Sequence, residues 1–577
     1  MISNRTYRFK ILNLLAVLAG FIILTLPAAA MPPHPDIFRP DKADQREIKE
    51  AVIEQLKTMR AKGIGAADDF FLKKIISAKG MASQATASEP FKILAILVDF
   101  SDQPALTPAT FFDSLVYSLN GKTIHDYFDE VSNGLIDLTT VTLPSEIDWQ
   151  RAPNSYQFYV DNSFGTGTYP NNAQKLVEDM VNQVDYLVDF REYDNDNDGY
   201  VDILLVIHSG SGAEYTKDPN DIWSHKWYIN RMRRDGVYIK DYTIQPELWS
   251  TPGDMTIGVY CHELSHGFGL PDLYDTDGSS YGIGHWGIMA YGSWNGPDGQ
   301  GGSPAHYCAW SKIQMGIANV VDITSTQVDL AVSAVETGGS VYRLRTANMG
   351  TEEYFLIENR QPYGYDAYLP SSGLLIWHID DSKSTNCQEW YPGENLSEHY
   401  LVALEQADGL FELEQRDDFG DSGDPFPGDT YQTSFNAATL PDNSSYIYDI
   451  TGFTIDDISN SDSVMTLNIT VDFASSLENP SNYLPDKISL SQNYPNPFNP
   501  LTQIEFYSTV GGEGTLEVFN ALGQKVSIVY EGYVAAGTTT LSWEAVGDDH
   551  TLLASGVYFY KLRVGQQTAS KKMLLVR

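Results

Sequence analysis

Eleven consecutive residues, 262–272 (HELSHGFGLPD), constrain the fold more than any other stretch of the chain. In an α-helix, positions i and i+4 share a face, so His262 and His266 can present imidazole nitrogens to one ion. Glu263 stands beside that face, within reach of a water on the ion but not obliged to be a ligand. Gly269 supplies the left-handed residue that ends such a helix and turns the chain, which lets Asp272 return to the same ion. Two imidazoles and one carboxylate leave a fourth position open, the donor set of a catalytic rather than a structural Zn2+. Asp272 has a competing reading as the cap of a following turn.

The 577 residues exceed one core and call for roughly three to five domains. A formal net charge of −39, from 76 acidic and 37 basic side chains, speaks against a nucleic-acid partner. A polyanion would be repelled over most of this surface. The acidity suits solubility and carboxylate-lined calcium sites. The first thirty residues have the form of a secretory signal peptide: Arg5, Arg8 and Lys10, an apolar run over 11–26, Pro27, then Ala28, Ala29 and Ala30 as a small-residue cleavage site. No later segment approaches the roughly 20 apolar residues a bilayer crossing needs, so no transmembrane segment is expected in the mature chain. Cys261, Cys308 and Cys387 are the three cysteines, and the sequence does not choose a pairing.

The organisation expected along the chain is α+β. A signal peptide (1–30) precedes a propeptide (31–90) with a proline-rich start and a helix opened by Asp44 and Glu47. Ile48, Val52, Leu56 and Met59 form the apolar stripe of that helix, Gly63 stops it, and 82–88 reads as a cleavable linker. A catalytic domain (91–324) opens with buried strands at 93–100 and 201–208 around a helix carrying Ala173, Val177, Met180, Val181 and Val184. Further helices are expected over about 254–267 and from Ser303, where Ser-Pro offers a cap. Short β-runs mark a companion region (325–473). A polar linker (474–485) then leads to an all-β unit (486–577), read as an immunoglobulin-like β-sandwich.

Residues 194–202 (DNDNDGYVD) alternate acidic oxygens around a glycine, which suits calcium through Asp194, Asp196, Asp198 and Asp202. The stretch departs from an EF-hand: Leu205 stands where the bidentate glutamate should be, and a strand follows. Asp421 and Asp424 form a weaker candidate of the same kind. His208, His225, His306 and His378 read as packed or surface histidines, because the zinc motif is complete without them.

The pattern H-E-x-x-H-x-x-G-x-x-D, followed by 286–292 (WGIMAYG), resembles the metzincin metallopeptidases and, among them, the immune inhibitor A-like secreted enzymes. Residues 223–227 (WSHKW) and 354–360 (YFLIENR) are similar to that family too, over about 90–430. The resemblance implies a metzincin-like zinc peptidase domain with Met289 as an apolar floor under the metal and Tyr291 as a donor to the developing oxyanion. The function it implies is secreted endopeptidase activity on proteins, through a zinc-activated water with Glu263 as general base. The competing class is a surface adhesion or binding protein on an inactive scaffold, against which an intact Glu263 speaks. A metal-stabilised carbohydrate-binding protein is a third. Many metzincin precursors mask zinc with a cysteine. Residues 31–90 contain none, so a carboxylate or another leader group is expected there if zinc is masked directly, with Asp36 and Asp41 as candidates and simple steric cover by the leader as the alternative.

At the other end, 492–500 (QNYPNPFNP), 518–526 (VFNALGQKV), 555–558 (SGVY) and the final KKMLLVR resemble type IX secretion sorting domains. That implies the type IX machinery as partner, and export through the periplasm and outer membrane to the medium or the cell surface.

Overall fold

The computed structural model describes residues 30–38, 45–64, 90–346, 348–392, 398–446 and 451–471. Nearer the C-terminus it describes 488–490, 493, 498, 500–508, 512–520, 524–534, 537–547, 551–564 and 567–575. Residues 1–29, read above as signal peptide, Asp41, Asp44, the 82–88 stretch and residues 474–485, read as a linker, lie outside the described residues. The chain divides into two compact units, Met1–Phe473 and Ala474–Arg577.

The first unit is a mixed α/β structure with several sheets. Its central sheet is built on Leu94–Asp99, an apolar run with all six side chains buried. Strand order is Gln150–Arg151, Leu94–Asp99, Leu204–His208, Val237–Pro246, His225–Arg234. The first four are parallel to one another, with Ile96 opposite Val206 and Val206 opposite Ile244. His225–Arg234 closes the order as an antiparallel edge. Ala173–Val184 buries Leu176, Val177, Met180, Val181 and Val184 at helical spacing, and the Asn172 side chain caps it by accepting from the Lys175 amide at 3.2 Å.

Two helix starts differ from the sequence reading. The motif helix begins at Gly258, because the Asp254 carboxylate takes the amides of Trp249, Ser250 and Thr251 at 2.8, 2.9 and 2.8 Å and closes a turn instead. The later helix is Ala309–Met315, and the Ser303 hydroxyl donates to the Tyr365 carbonyl at 2.8 Å rather than capping a helix.

From about residue 320 onward β-structure dominates. A five-stranded sheet runs Val402–Leu404, Gly373–Asp380, Glu353–Arg360, Val341–Leu344, Val320–Ile323, and a three-stranded one Phe453–Asp456, Val464–Val471, Gln327–Ser333. Strand alternation divides Glu353–Arg360 between two cores. Tyr354 and Leu356 join the cluster that includes the central sheet, whereas Phe355 and Ile357 join a second cluster with Ile455 and Leu467. Gly373–Asp380 does the same, with Leu375 and Trp377 on one side and Leu374 and Ile376 on the other. At the end of Glu353–Arg360, the fully buried Arg360 guanidinium donates to both Asp366 oxygens at 2.8 Å, to Glu358 at 3.3 Å and to the Trp286 carbonyl at 3.2 Å.

The second unit holds two antiparallel sheets, ordered Ile488–Leu490, Leu501–Ser508, Gly537–Glu544 and Lys525–Val534, Gly512–Asn520, Gly556–Val564, Gln567–Leu575. Alternate residues of both, among them Ile504, Phe506, Leu516, Val518, Trp543, Tyr560 and Leu562, fill one shared core.

Candidate metal centre

Helix Gly258–Gly267 is buried on every side. His262 directs Nδ1 to the Ile288 carbonyl at 2.8 Å, and His266 directs Nδ1 to the Leu270 carbonyl at 2.7 Å. Both rings are thereby fixed with Nε2 free to ligate, the arrangement in which a carbonyl orients a metal-binding imidazole. Gly269 takes φ +96°, and the turn it makes carries Asp272 back to the helix. The two Nε2 atoms are 3.2 Å apart, and Asp272 Oδ1 lies 3.1 Å from His262 Nε2 and 3.4 Å from His266 Nε2. Ligand distances of about 2.0–2.1 Å in a tetrahedral site put neighbouring donors about 3.3 Å apart, so this spacing fits Zn2+. His262, His266 and Asp272 form one of the metal-competent groups among the described residues.

Both oxygens of Asp272 and both of Glu263 are buried without a hydrogen-bond partner in the protein. Four such oxygens in one place are costly unless a cation or a water meets them. Burial pushes the Glu263 carboxyl up to about 8. His262 opposes that rise, while Asp272 and Glu214 add to it. Glu214, buried nearby, is itself raised to about 7 by burial.

Met289 is buried on the following turn, where its carbonyl accepts the Leu273 amide at 2.8 Å. That bond ties the Asp272 loop to the turn, just as the Ile288 carbonyl ties His262 to it. Tyr291 packs in an aromatic group with Tyr274 at 5.9 Å, Tyr281 at 5.7 Å and Phe419 at 4.6 Å between ring centres. Sequence reasoning passed over Tyr274, two residues after Asp272, whose ring centre is 6.4 Å from that of His262. Its position two residues after Asp272, on a tight loop, was the available signal.

The N-terminal segment lies against this centre. The Tyr274 hydroxyl donates to the Ala30 carbonyl, and Ala30 pairs antiparallel with His225 at the start of the edge strand. The Met31 amide donates to the Ser224 carbonyl at 3.4 Å, and it lies near enough to Glu263 to favour the ionised carboxylate, though outside hydrogen-bond geometry. Trp223 Nε1 donates to the Met31 carbonyl at 2.9 Å and Trp294 Nε1 to the Pro32 carbonyl at 3.0 Å. Helix Gln45–Ala61 buries Val52, Leu56 and Met59, and Arg60 donates to Thr276 Oγ1 at 3.3 Å and Cys387 Sγ at 2.8 Å. Asp36 pairs with His34 at 3.7 Å and is not in the metal-competent group, so among the described residues it is backbone, not a carboxylate, that the segment brings to the centre. All three cysteines are buried and unpaired with one another.

Asp194, Asp196 and Asp198 also gather into a metal-competent group, whereas Asp202 stands outside it and accepts from Asn195 N and Nδ2 at 2.8 and 2.6 Å. Asp421 groups with Asp408 and Glu412, while Asp424 accepts from Trp286 Nε1 at 2.7 Å. His208, His225, His306 and His378 are all buried, and none belongs to a metal-competent group.

Comparison with known families supports a peptidase-like protein. The family described as immune inhibitor A peptidase M6, catalytic domain, matches residues 110–317, and the secretion system C-terminal sorting domain matches 492–576. The chain therefore carries a metallopeptidase domain of the immune inhibitor A (M6) family and a type IX sorting domain. The latter makes this a secreted or cell-surface protein. Pre-pro-metalloprotease PrtV of Vibrio cholerae is 29% identical over 278 residues, covering 38% of this chain and 29% of that protein. Immune inhibitor A of Bacillus thuringiensis is 31% identical over 210 residues, covering 30% and 29%. The chain thus spans under a third of the length of these curated relatives. Latent dimeric PorU of Porphyromonas gingivalis is 16% identical over 22% of this chain and 12% of its own, at a TM-score of 0.16 that carries no argument. Among the described residues no helix is long and apolar enough to cross a membrane.

Proposed function

We propose that the chain is a secreted zinc-dependent endopeptidase of metzincin type, made as a latent precursor. The observation that supports it most is the set of unpartnered buried oxygens on Glu263 and Asp272 beside two imidazoles aimed at one point. His262, His266 and Asp272 would hold Zn2+, which when bound supplies a Lewis acid and lowers the pKa of a water.

The chain's own groups carry the rest. Glu263 takes a proton from the attacking water as its oxygen bonds to the scissile carbonyl carbon, then gives that proton to the amide nitrogen as the C–N bond breaks. Burial alone would hold the Glu263 carboxyl protonated, at about 8, and the charge of a bound cation would bring it down to where it can accept that proton. Tyr291 is a candidate oxyanion donor, and Met289 a floor beneath the site. The same reading treats 31–90 as the leader. With a signal peptide ending at Ala30, its first residues lie where substrate would and keep the precursor latent. Residues 91–324 and 325–473 are read as one peptidase unit, 474–485 as a linker, and 486–577 as an immunoglobulin-like sorting domain.

Glu263→Ala should retain about one zinc per chain and lose essentially all casein hydrolysis, since the side chain serves the water and is not a ligand. Asp272→Ala should lose both. Unchanged proteolysis in the first variant would end the reading.

A further inference from the structure

The N-terminal segment crosses the centre in the register of a peptide substrate. Before the signal peptide is removed, the Ala30–Met31 bond has its carbonyl on the Tyr274 hydroxyl, the place an electrophile serves in amide hydrolysis. Beyond that bond, a peptide added to a sheet edge would normally exchange amides and carbonyls with the edge strand in alternation. Among the described residues the pairing is confined to Ala30 with His225 and the Met31 amide with Ser224 just before the edge strand, and the carbonyls of Met31 and Pro32 pass to the indoles of Trp223 and Trp294. Three successive carbonyls are thus read by side-chain donors.

That arrangement suits residues that offer a carbonyl and no amide. Pro32 and Pro33 are buried, and proline has no N–H to satisfy. Another residue in either place would bury an amide, at about 1–3 kcal/mol if unmet. The next amide along, that of His34, is met by the Glu214 carbonyl at 3.1 Å. Met31 is wholly enclosed, so the first position is an apolar pocket. The His34 ring sits edge-on to Trp294 at 4.7 Å and to Tyr215 at 6.0 Å, an aromatic ledge at the fourth.

We propose that this cleft selects extended proline-containing segments of proteins: an apolar side chain directly after the cleaved bond, proline in the next two positions, and the backbone read by Tyr274, Trp223 and Trp294. The inference rests on the peptidase reading above.

The test uses the secreted, zinc-loaded protein after its own maturation, with quenched peptides carrying Ala-Ala-Met-Pro-Pro-His or Ala-Ala-Met-Ala-Ala-His. The first should be cut at its Ala–Met bond with kcat/KM about 5- to 150-fold above the second, the span set by one buried unmet amide at about 1–3 kcal/mol. The octapeptide of residues 31–38 should quench tryptophan fluorescence at lower concentration than its double-alanine analogue, a reading independent of turnover. Tyr274→Phe should lower kcat about 100-fold while KM changes little. Equal or better cleavage and binding of the alanine peptides, or cutting at another bond, would overturn the proposal while casein hydrolysis left the peptidase reading standing. Failure to hydrolyse casein as well would overturn both.

Discussion

Met31→Ala in the full-length precursor tests whether the leader holds the protein latent through the cleft. Met31 is 0% exposed, and its carbonyl and amide are both engaged, so the side chain is an anchor for the segment behind it. Truncating a buried methionine to alanine costs about 2–5 kcal/mol in a core. The wall of a cleft can follow the smaller side chain, which places the loss at about 2–3 kcal/mol. At 1.4 kcal/mol per factor of ten, the open fraction of the precursor rises about 30- to 150-fold. The assay is the initial rate on a quenched peptide, with the precursor shown intact by mass before and after. Lys57→Ala, on the exposed face of the leader helix, is the control and should change nothing. A rise of less than about threefold for Met31→Ala, or an equal one for Lys57→Ala, would refute the reasoning.

Asp196→Asn with Asp198→Asn should abolish most of the calcium-dependent rise in melting temperature, because a cation bound only to the native state stabilises by about 2.7 kcal/mol at a hundred times its Kd. An undiminished rise would place calcium elsewhere. Arg360→Met should destabilise the first unit by about 3–5 kcal/mol in denaturant melts, since it leaves Asp366 and Glu336 buried without their cation, while Glu358 keeps Lys312 at 3.2 Å. His378 is hydrogen-bonded between Glu353 at 2.8 Å and Glu405 at 3.1 Å, and these partners hold its pKa above the ordinary value although burial alone would lower it. A raised histidine stabilises fully below the unfolded pKa of about 6.5 and loses that contribution as pH climbs through the folded value. The melting temperature should therefore fall as pH rises above about 6.5, and His378→Gln should flatten that slope.

The motif was legible because its chemistry is local: His262 and His266 are one helical turn apart, and Gly269 makes the return to Asp272 in a few residues. The buried strands were legible for a similar reason, since a run such as 94–98 (LAILV) has few places to go except a covered sheet. Helix starts were not, where a side chain had a better bond to make. Asp254 closes a turn with three amides, and Ser303 answers a carbonyl sixty-two residues away. Tyr274 and the two indoles escaped because their partner is distant chain: Ala30 lies 244 residues before Tyr274, and Pro32 lies 262 before Trp294. Asp36 looked suitable as a masking carboxylate because composition shows which groups are available and not which way the backbone threads.

Trp286, which opens the turn carrying Met289, is gripped twice from outside the segment that matches the peptidase family. Arg360 holds its carbonyl from 74 residues on, and Asp424 holds its indole from 138 residues on. The match ends at residue 317. That stretch is therefore a unit of descent and not a unit of folding. A fragment trimmed to it would keep every residue proposed for the metal and lose both outside grips on the turn beneath them. Anyone transplanting this centre to another scaffold would have to carry Glu353–Arg360 and the loop ending at Asp424 along with it. Sequence drift in the β-rich region, far from any ligand, would be felt first as a loosened Met289 turn.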